Sequence, residues 1–204
     1  GVSVLAVPLT PWSGAPLRVV LTAEQALTGE LSLVAPDGSV AAKSAERRGG
    51  PPYFWYAEVA TPAAGKWQAK LVREGVAGEC STLVHDVSVQ RKRPPGLRAS
   101  AKNVWPVRDG WSRANENLYA AWIELLFDAP LDQTLSWPAL HDVLRDRSRN
   151  VLFNHLGLRE DEKGHIVKPD CADLPYTLRA YFAFKMGLPF GYAKCTRGGK
   201  GKPP

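Results

Sequence analysis

Hydrophobic and polar positions alternate along the first ninety residues of the chain and then change to a helical period. In "GKWQAKLVR" (65–73), Trp67, Ala69 and Leu71 fall on one side and Gln68, Lys70 and Val72 on the other. That two-residue repeat is the pattern of a half-buried strand. "LRVVLT" (17–22), "GELSLVAP" (29–36), "YFWYAEVA" (53–60) and "STLVHDVSV" (81–89) read as strands too, separated by the Pro- and Gly-bearing breaks "PDG", "RRGGPP" and "TPAAG". Short strands at spacings of roughly ten residues predict a β-sandwich over residues 1–93. The stretch "QRKRPPGLRAS" (90–100) is basic, Pro-rich and without hydrophobic periodicity, so a linker is expected, spanning 94–113 between two domains.

From residue 114 the period becomes that of a helix. "ANENLYAAWIELLFDAP" (114–130) sets Leu118, Trp122, Leu125 and Leu126 on one face. "SWPALHDVLRD" (136–146) predicts a helix capped by Ser136, with Pro138 in its first turn. "SRNVLFNHLG" (148–157) predicts another, stopped at Gly157. "REDEKGHIVKPD" (159–170) reads as a polar loop, and a last helix carries Leu174, Leu178, Tyr181 and Phe182 as its buried stripe before Gly187 and Pro189 end it. Its start has two readings, with either Asp170 or Asp173 as the cap. In both, Cys171 lies close to the helix N-terminus. The expected fold class is α+β.

Bulk properties narrow the function classes. With 204 residues, 45% hydrophobic and 23% charged, the chain has the composition of a folded protein, and no apolar run approaches the ~20 residues of a membrane span. The net charge of +6 favours anionic partners, and the basic residues cluster in "QRKRPPG", "RDRSR" and "KCTRGGKGK". No aromatic residues interleave with those clusters, so no nucleic-acid groove is expected. Cys80, Cys171 and Cys195 are too widely spaced for a zinc motif or a C-x-x-C redox pair, and neither a metal nor a cofactor is expected. A Cys80–Cys195 disulfide is open in an oxidising compartment, but spacing alone does not pair them.

Cys171 is the candidate for chemistry. A thiol attacks a carbonyl as its thiolate, which the partial positive charge of a helix N-terminus and a neighbouring imidazolium both favour. Backbone N–H groups at that end also suit the oxyanion of a tetrahedral intermediate. His165, six residues upstream, is the candidate partner in sequence, while Asp170 and Asp173 read as helix caps that support the site. His141 and His155 fall on predicted helices among apolar neighbours and read as satisfied structural residues or as partly exposed ones.

"PDCADLPYTLRAYFAFKMGLPFGY" resembles the nucleophile helix of NlpC-type papain-fold cysteine peptidases, a family largely of cell-wall endopeptidases and amidases. Asp170 and Cys171 match the Asp-Cys pair that opens that helix, and Leu174 matches its apolar anchor. The segment "TPAAGKWQAKL" resembles the closing hairpin of immunoglobulin-like modules found beside bacterial secreted enzymes. The resemblance implies a secreted or cell-envelope hydrolase acting on peptidoglycan peptide or another peptide, with 114–204 as the helical half of a papain-like domain. Ala172-Asp173 stands where the family has Ser-Gly, and the family's base is a histidine well after the cysteine, whereas none follows Cys171 here. The expectation is therefore that the base and the remainder of the domain lie in a C-terminal part or a second chain. A non-enzymatic envelope module with an inert Cys171 is the rival reading, and an acyl transferase or deamidase on the same fold is a third.

Overall fold

The computed structural model describes residues 1–75, 78, 81–95, 104–162, 166–192 and 200–201. Among the described residues there are eight strands and three helices: β1 Val2–Val7, β2 Leu17–Ala23, β3 Gly29–Val34, β4 Val40–Ser44, β5 Arg48–Gly49, β6 Tyr53–Val59, β7 Gly65–Arg73, β8 Thr82–Val89, α1 Arg113–Leu126, α2 Leu140–Leu144 and α3 Leu174–Met186. The strands form two antiparallel sheets, ordered β1-β2-β6-β5 and β4-β3-β7-β8. The chain is of the α+β class.

Alternation decides what each sheet face buries. Leu17, Val19, Leu21, Trp55 and Ala57 of one sheet share a cluster with Leu31, Leu33, Trp67, Ala69, Leu71, Val87 and Val89 of the other. Trp67, Ala69 and Leu71 are thus the buried side of β7, as their spacing predicts. The Trp55 indole lies fully inside that core, and its N–H donates to the Gly29 carbonyl (3.1 Å), which satisfies its one polar atom.

The opposite face of the β1-β2-β6-β5 sheet is covered by helices, giving β2 a buried residue at all seven positions. Leu5, Val7, Val20 and Phe54 join Leu118, Trp122, Leu126, Leu178 and Phe182 in a second cluster. Polar links cross the same seam. Arg48 pairs with Asp128 (2.8 Å), and the Leu9 amide donates to the His155 carbonyl (2.7 Å). Residues 104–112, inside the expected linker, lie against the end of α3: the Arg108 amide donates to the Gly187 carbonyl (2.8 Å), and the Trp105 and Trp111 indoles donate to the Leu188 and Pro189 carbonyls (2.9 and 2.7 Å).

Three local expectations change. Strands β1, β4 and β5 were not among the five expected from alternation. The second helix is one short turn, Leu140–Leu144, preceded by Ala139 rather than Ser136; the Asp142 carboxylate accepts the Ala139 amide (3.0 Å). The helix expected over 148–157 is a series of turns, because short polar side chains compete for its backbone. Asp146 accepts the Ser148 amide (2.9 Å), Asn150 accepts the Leu152 amide (3.1 Å), and Asn154 sits at φ 54°.

Candidate active site around Cys171

Helix α3 begins at Leu174, with Asp173 at the cap position and Pro175 in the first turn, where a missing N–H costs little. Cys171 therefore lies in the turn before the helix, and it is exposed. Asp170 shapes that turn. Its Oδ1 accepts the amides of Ala172 (2.9 Å) and Asp173 (2.8 Å), while its carbonyl accepts the Leu174 amide (2.9 Å). Asp173 caps nothing with its carboxylate; its carbonyl receives the Thr177 amide and hydroxyl, each at 2.9 Å. The Cys171 amide has no acceptor among the described residues.

The segment leading to the cysteine is fixed by His141. The Val167 amide donates to its Nδ1 (3.2 Å), and the Val167 carbonyl receives the Leu140 amide (3.0 Å). Among the described residues no imidazole lies within hydrogen-bond reach of the Cys171 sulfur. His165, Cys80 and Cys195 fall outside the described residues. Among the described residues no group of His, Cys, Asp and Glu is arranged to hold a metal ion.

Behind the cysteine turn, α3 is anchored by a buried polar network that the sequence patterns do not show. Lys185 is fully buried and its ammonium meets Glu160 Oε1 (2.5 Å) and Asp161 Oδ2. Tyr181 donates to Asp161 (2.8 Å) and accepts from Asn150 Nδ2 (2.7 Å), and Asn150 Oδ1 accepts the Trp122 indole N–H (3.0 Å). Burial pushes the Tyr181 phenol well above its ordinary pKa, and the Asp161 carboxylate adds to that. Burial works to raise the Glu160 pKa, but the Lys185 ammonium and hydrogen bonds outweigh it, and the carboxyl lies below its usual value. Every member of this chain is partnered, so it holds α3 to the 150–162 loop. On the other side of α3, Arg179 bridges to Glu116 of α1 (2.6 Å) and lies 3.4 Å from the Trp111 ring centroid.

His155 was expected on a helix as a satisfied structural residue or a partly exposed one. It lies in the turn region instead, buried, with neither ring nitrogen bonded. Burial first, then the Lys185 and Arg108 cations, push its pKa down to about 3, so it is the neutral imidazole at any ordinary pH.

No family model matches this chain, and no curated protein matches it. Among solved structures it is similar to the first immunoglobulin domain of mouse SynCAM 2, at 11% identity over 44% of this chain and 94% of that one, with a TM-score of 0.30. It is also similar to AaCel9A, solved with cellobiose-like isofagomine, at 12% identity over 61% of this chain and 17% of that one, with a TM-score of 0.27. Likenesses this slight carry no functional argument. No helix among the described residues is long and apolar enough to cross a membrane.

Proposed function

We propose that the chain is the nucleophile-bearing part of a secreted or cell-envelope cysteine hydrolase that cleaves amide bonds in peptidoglycan or related peptides. In this reading an immunoglobulin-like sandwich precedes the helical half of a papain-like domain. The observation that carries the proposal is an exposed Cys171 in the turn opening α3, with its own amide unbonded while Asp170 occupies the two amides that follow. Access and an open N–H donor are what a thiol nucleophile needs first. The Cys171 sulfur adds to the substrate carbonyl carbon and forms a C–S bond. The C–N bond then breaks, the amine leaves with a proton from an imidazolium, and water hydrolyses the thioester to restore the thiol. The base is His165 or a histidine on a C-terminal segment or second chain that completes the domain.

The test is labelling of the natural full-length product with a peptidyl epoxide, alongside release of peptide from purified wall fragments. A single adduct mapping to Cys171, and loss of at least about a thousandfold in turnover in Cys171→Ser, are expected. Cleavage that survives Cys171→Ser refutes the assignment. Absence of both adduct and cleavage would leave an envelope scaffold with an inert thiol. An adduct on Cys171 with amine transfer in place of hydrolysis would point to an acyl transferase.

A further inference from the structure

A cleft of about 340 Å³ opens between the β1–β2 connection, the segment after β8 and the turns at 147–162, and its wall is basic. Arg18, Arg93, Arg147 and Arg159 line it, with Glu162 as the one acidic residue in the wall. These arginines come from four places in the chain: β2, the segment after β8, the turn before 150 and the loop after it. Each is oriented by a contact of its own. Arg18 is nearly buried and its Nε donates to Glu58 (3.0 Å). Arg93 donates to the Gly157 carbonyl (2.5 Å), Arg147 lies 4.9 Å from the Phe153 ring centroid, and Arg159 pairs with Glu162. A guanidinium has more N–H donors than any of these contacts uses, so each arginine retains donors for a ligand.

The cleft is rigid as well as charged. Pro8, Pro16, Pro94 and Pro95 stand in its wall beside Trp12. The Trp12 indole is packed on Gly14 so closely that a Cβ there would lie 2.0 Å from the ring; only glycine fits. Across the opening, Asn154 and Arg159 both adopt the left-handed region, at φ 54° and 59°. Hydrogen bonds hold that loop: the Asn154 amide donates to Asp161 (2.6 Å), and the Leu156 and Leu158 amides donate to Glu160 (2.9 and 3.1 Å). Left-handed non-glycine backbone persists where surrounding structure over-determines it, and such positions concentrate at binding sites. Glu58 and Glu162 balance Arg18 and Arg159, so Arg93 and Arg147 leave the wall with an excess of positive charge that favours an entering anion.

We propose that this cleft binds a small multivalent oxyanion, either a compact organic polycarboxylate or a phosphate ester, whose charged groups are shared among the arginines and whose body lies against Trp12. The volume is that of a small-molecule site, below what a folded partner occupies. The cleft includes no residue of the cysteine turn, so this inference stands apart from the hydrolase reading.

Titration calorimetry of the whole chain with pyrophosphate and with citrate, at ~0.15 M salt to suppress diffuse attraction, tests it. One saturable site is expected for at least one probe. Arg147→Gln and Arg159→Gln should each weaken it about tenfold or more, and the Trp12 emission should change on binding. Arg159 is 59% exposed, and an unchanged far-ultraviolet circular dichroism spectrum of its variant checks that the fold is kept. Arg113→Gln, an exposed residue outside the cleft, should change nothing. Preference for pyrophosphate identifies a phosphate ester, and preference for citrate a polycarboxylate. The inference is overturned if neither probe saturates, or if Arg113→Gln weakens binding as much as the cleft variants do.

Discussion

Mild acid should destabilise this protein through His155 before any carboxylate contributes. The imidazole is 1% exposed, has no hydrogen-bond partner, and is held at a pKa of about 3 by burial and by the Lys185 and Arg108 cations. In the unfolded chain a histidine titrates near ~6.5. The folded value is the depressed one, so the unfolded chain binds the proton first as pH falls. Stability is complete above pH ~6.5 and drains away down to about pH 3, where the folded form also accepts the proton. Integrated between pH 7 and pH 5, the loss is roughly 2 kcal/mol. Glu160, whose folded pKa is lowered, contributes stability above its unfolded value of ~4.3 and loses it only below that, outside this window. Urea unfolding at pH 7, 6 and 5 on the wild type and on His155→Leu isolates the term. The midpoint of the variant should move less over this range, by the equivalent of about 2 kcal/mol, while at pH 7 the variant is near neutral because it removes an unsatisfied polar group. Parallel pH curves for the two proteins would refute the reasoning.

Lys185→Met keeps the length of the side chain but removes the ammonium, leaving Glu160 and Asp161 buried without their cation. A loss of roughly 3–5 kcal/mol in urea unfolding at pH 7 is expected, partly recovered by adding Asp161→Asn; a loss below about 1 kcal/mol would show that water takes the place of the ammonium. A fragment of residues 1–93 exposes Leu5, Val7, Val20 and Phe54, which the helical layer covers. At about 1.5–3 kcal/mol for each side chain, it should bind anilinonaphthalene sulfonate and self-associate, and a monodisperse fragment without dye binding would contradict this.

Five strands were legible as short apolar-rich runs between Pro- and Gly-bearing breaks, and in β7 the burial alternates with the two-residue period that needs no knowledge of the partner. β4, with the sequence VAAKS, is largely exposed, and β5 has two residues, so neither carries a pattern to detect. "LRVVLT" reads as a strand, yet nothing local says that both its faces are covered; that follows from helices arriving nearly a hundred residues later. Of the predicted α1 stripe, Leu118, Trp122 and Leu126 are buried and Leu125 is partly buried at its edge. The turns at 148–157 were missed because apolar spacing there mimics a helix while Asp146 and Asn150 divert the amides. Cys171 lies beside the α3 N-terminus, as both readings of the helix start place it, and is exposed there. Lys185 was not legible as buried, since its partners sit in "REDE", a run whose composition is that of a solvated loop. Glu160 and Asp161 are nonetheless 8% and 5% exposed, because pairing reverses the ordinary preference of a charge for water.

That reversal explains why so much of the molecule depends on one loop. Residues 150–162 put Val151 and Leu152 into the core, but the polar rest of the segment has no regular element to satisfy its backbone, which includes two left-handed residues. They are ordered from both sides at once. Lys185 of α3 draws Glu160 and Asp161 inward, and those same carboxylates accept the loop amides of Leu156, Leu158 and Asn154. From the opposite side, the Leu9 amide and Arg93 hold the carbonyls of His155 and Gly157. The helix that positions Cys171 and the wall that carries the cleft arginines are therefore built on the same buried ion pairs. Removal of the Lys185 ammonium costs more than one contact because the carboxylates that lose it also hold the loop's backbone. Their two roles rise or fall together, and that is the non-additivity expected where neighbouring groups share partners.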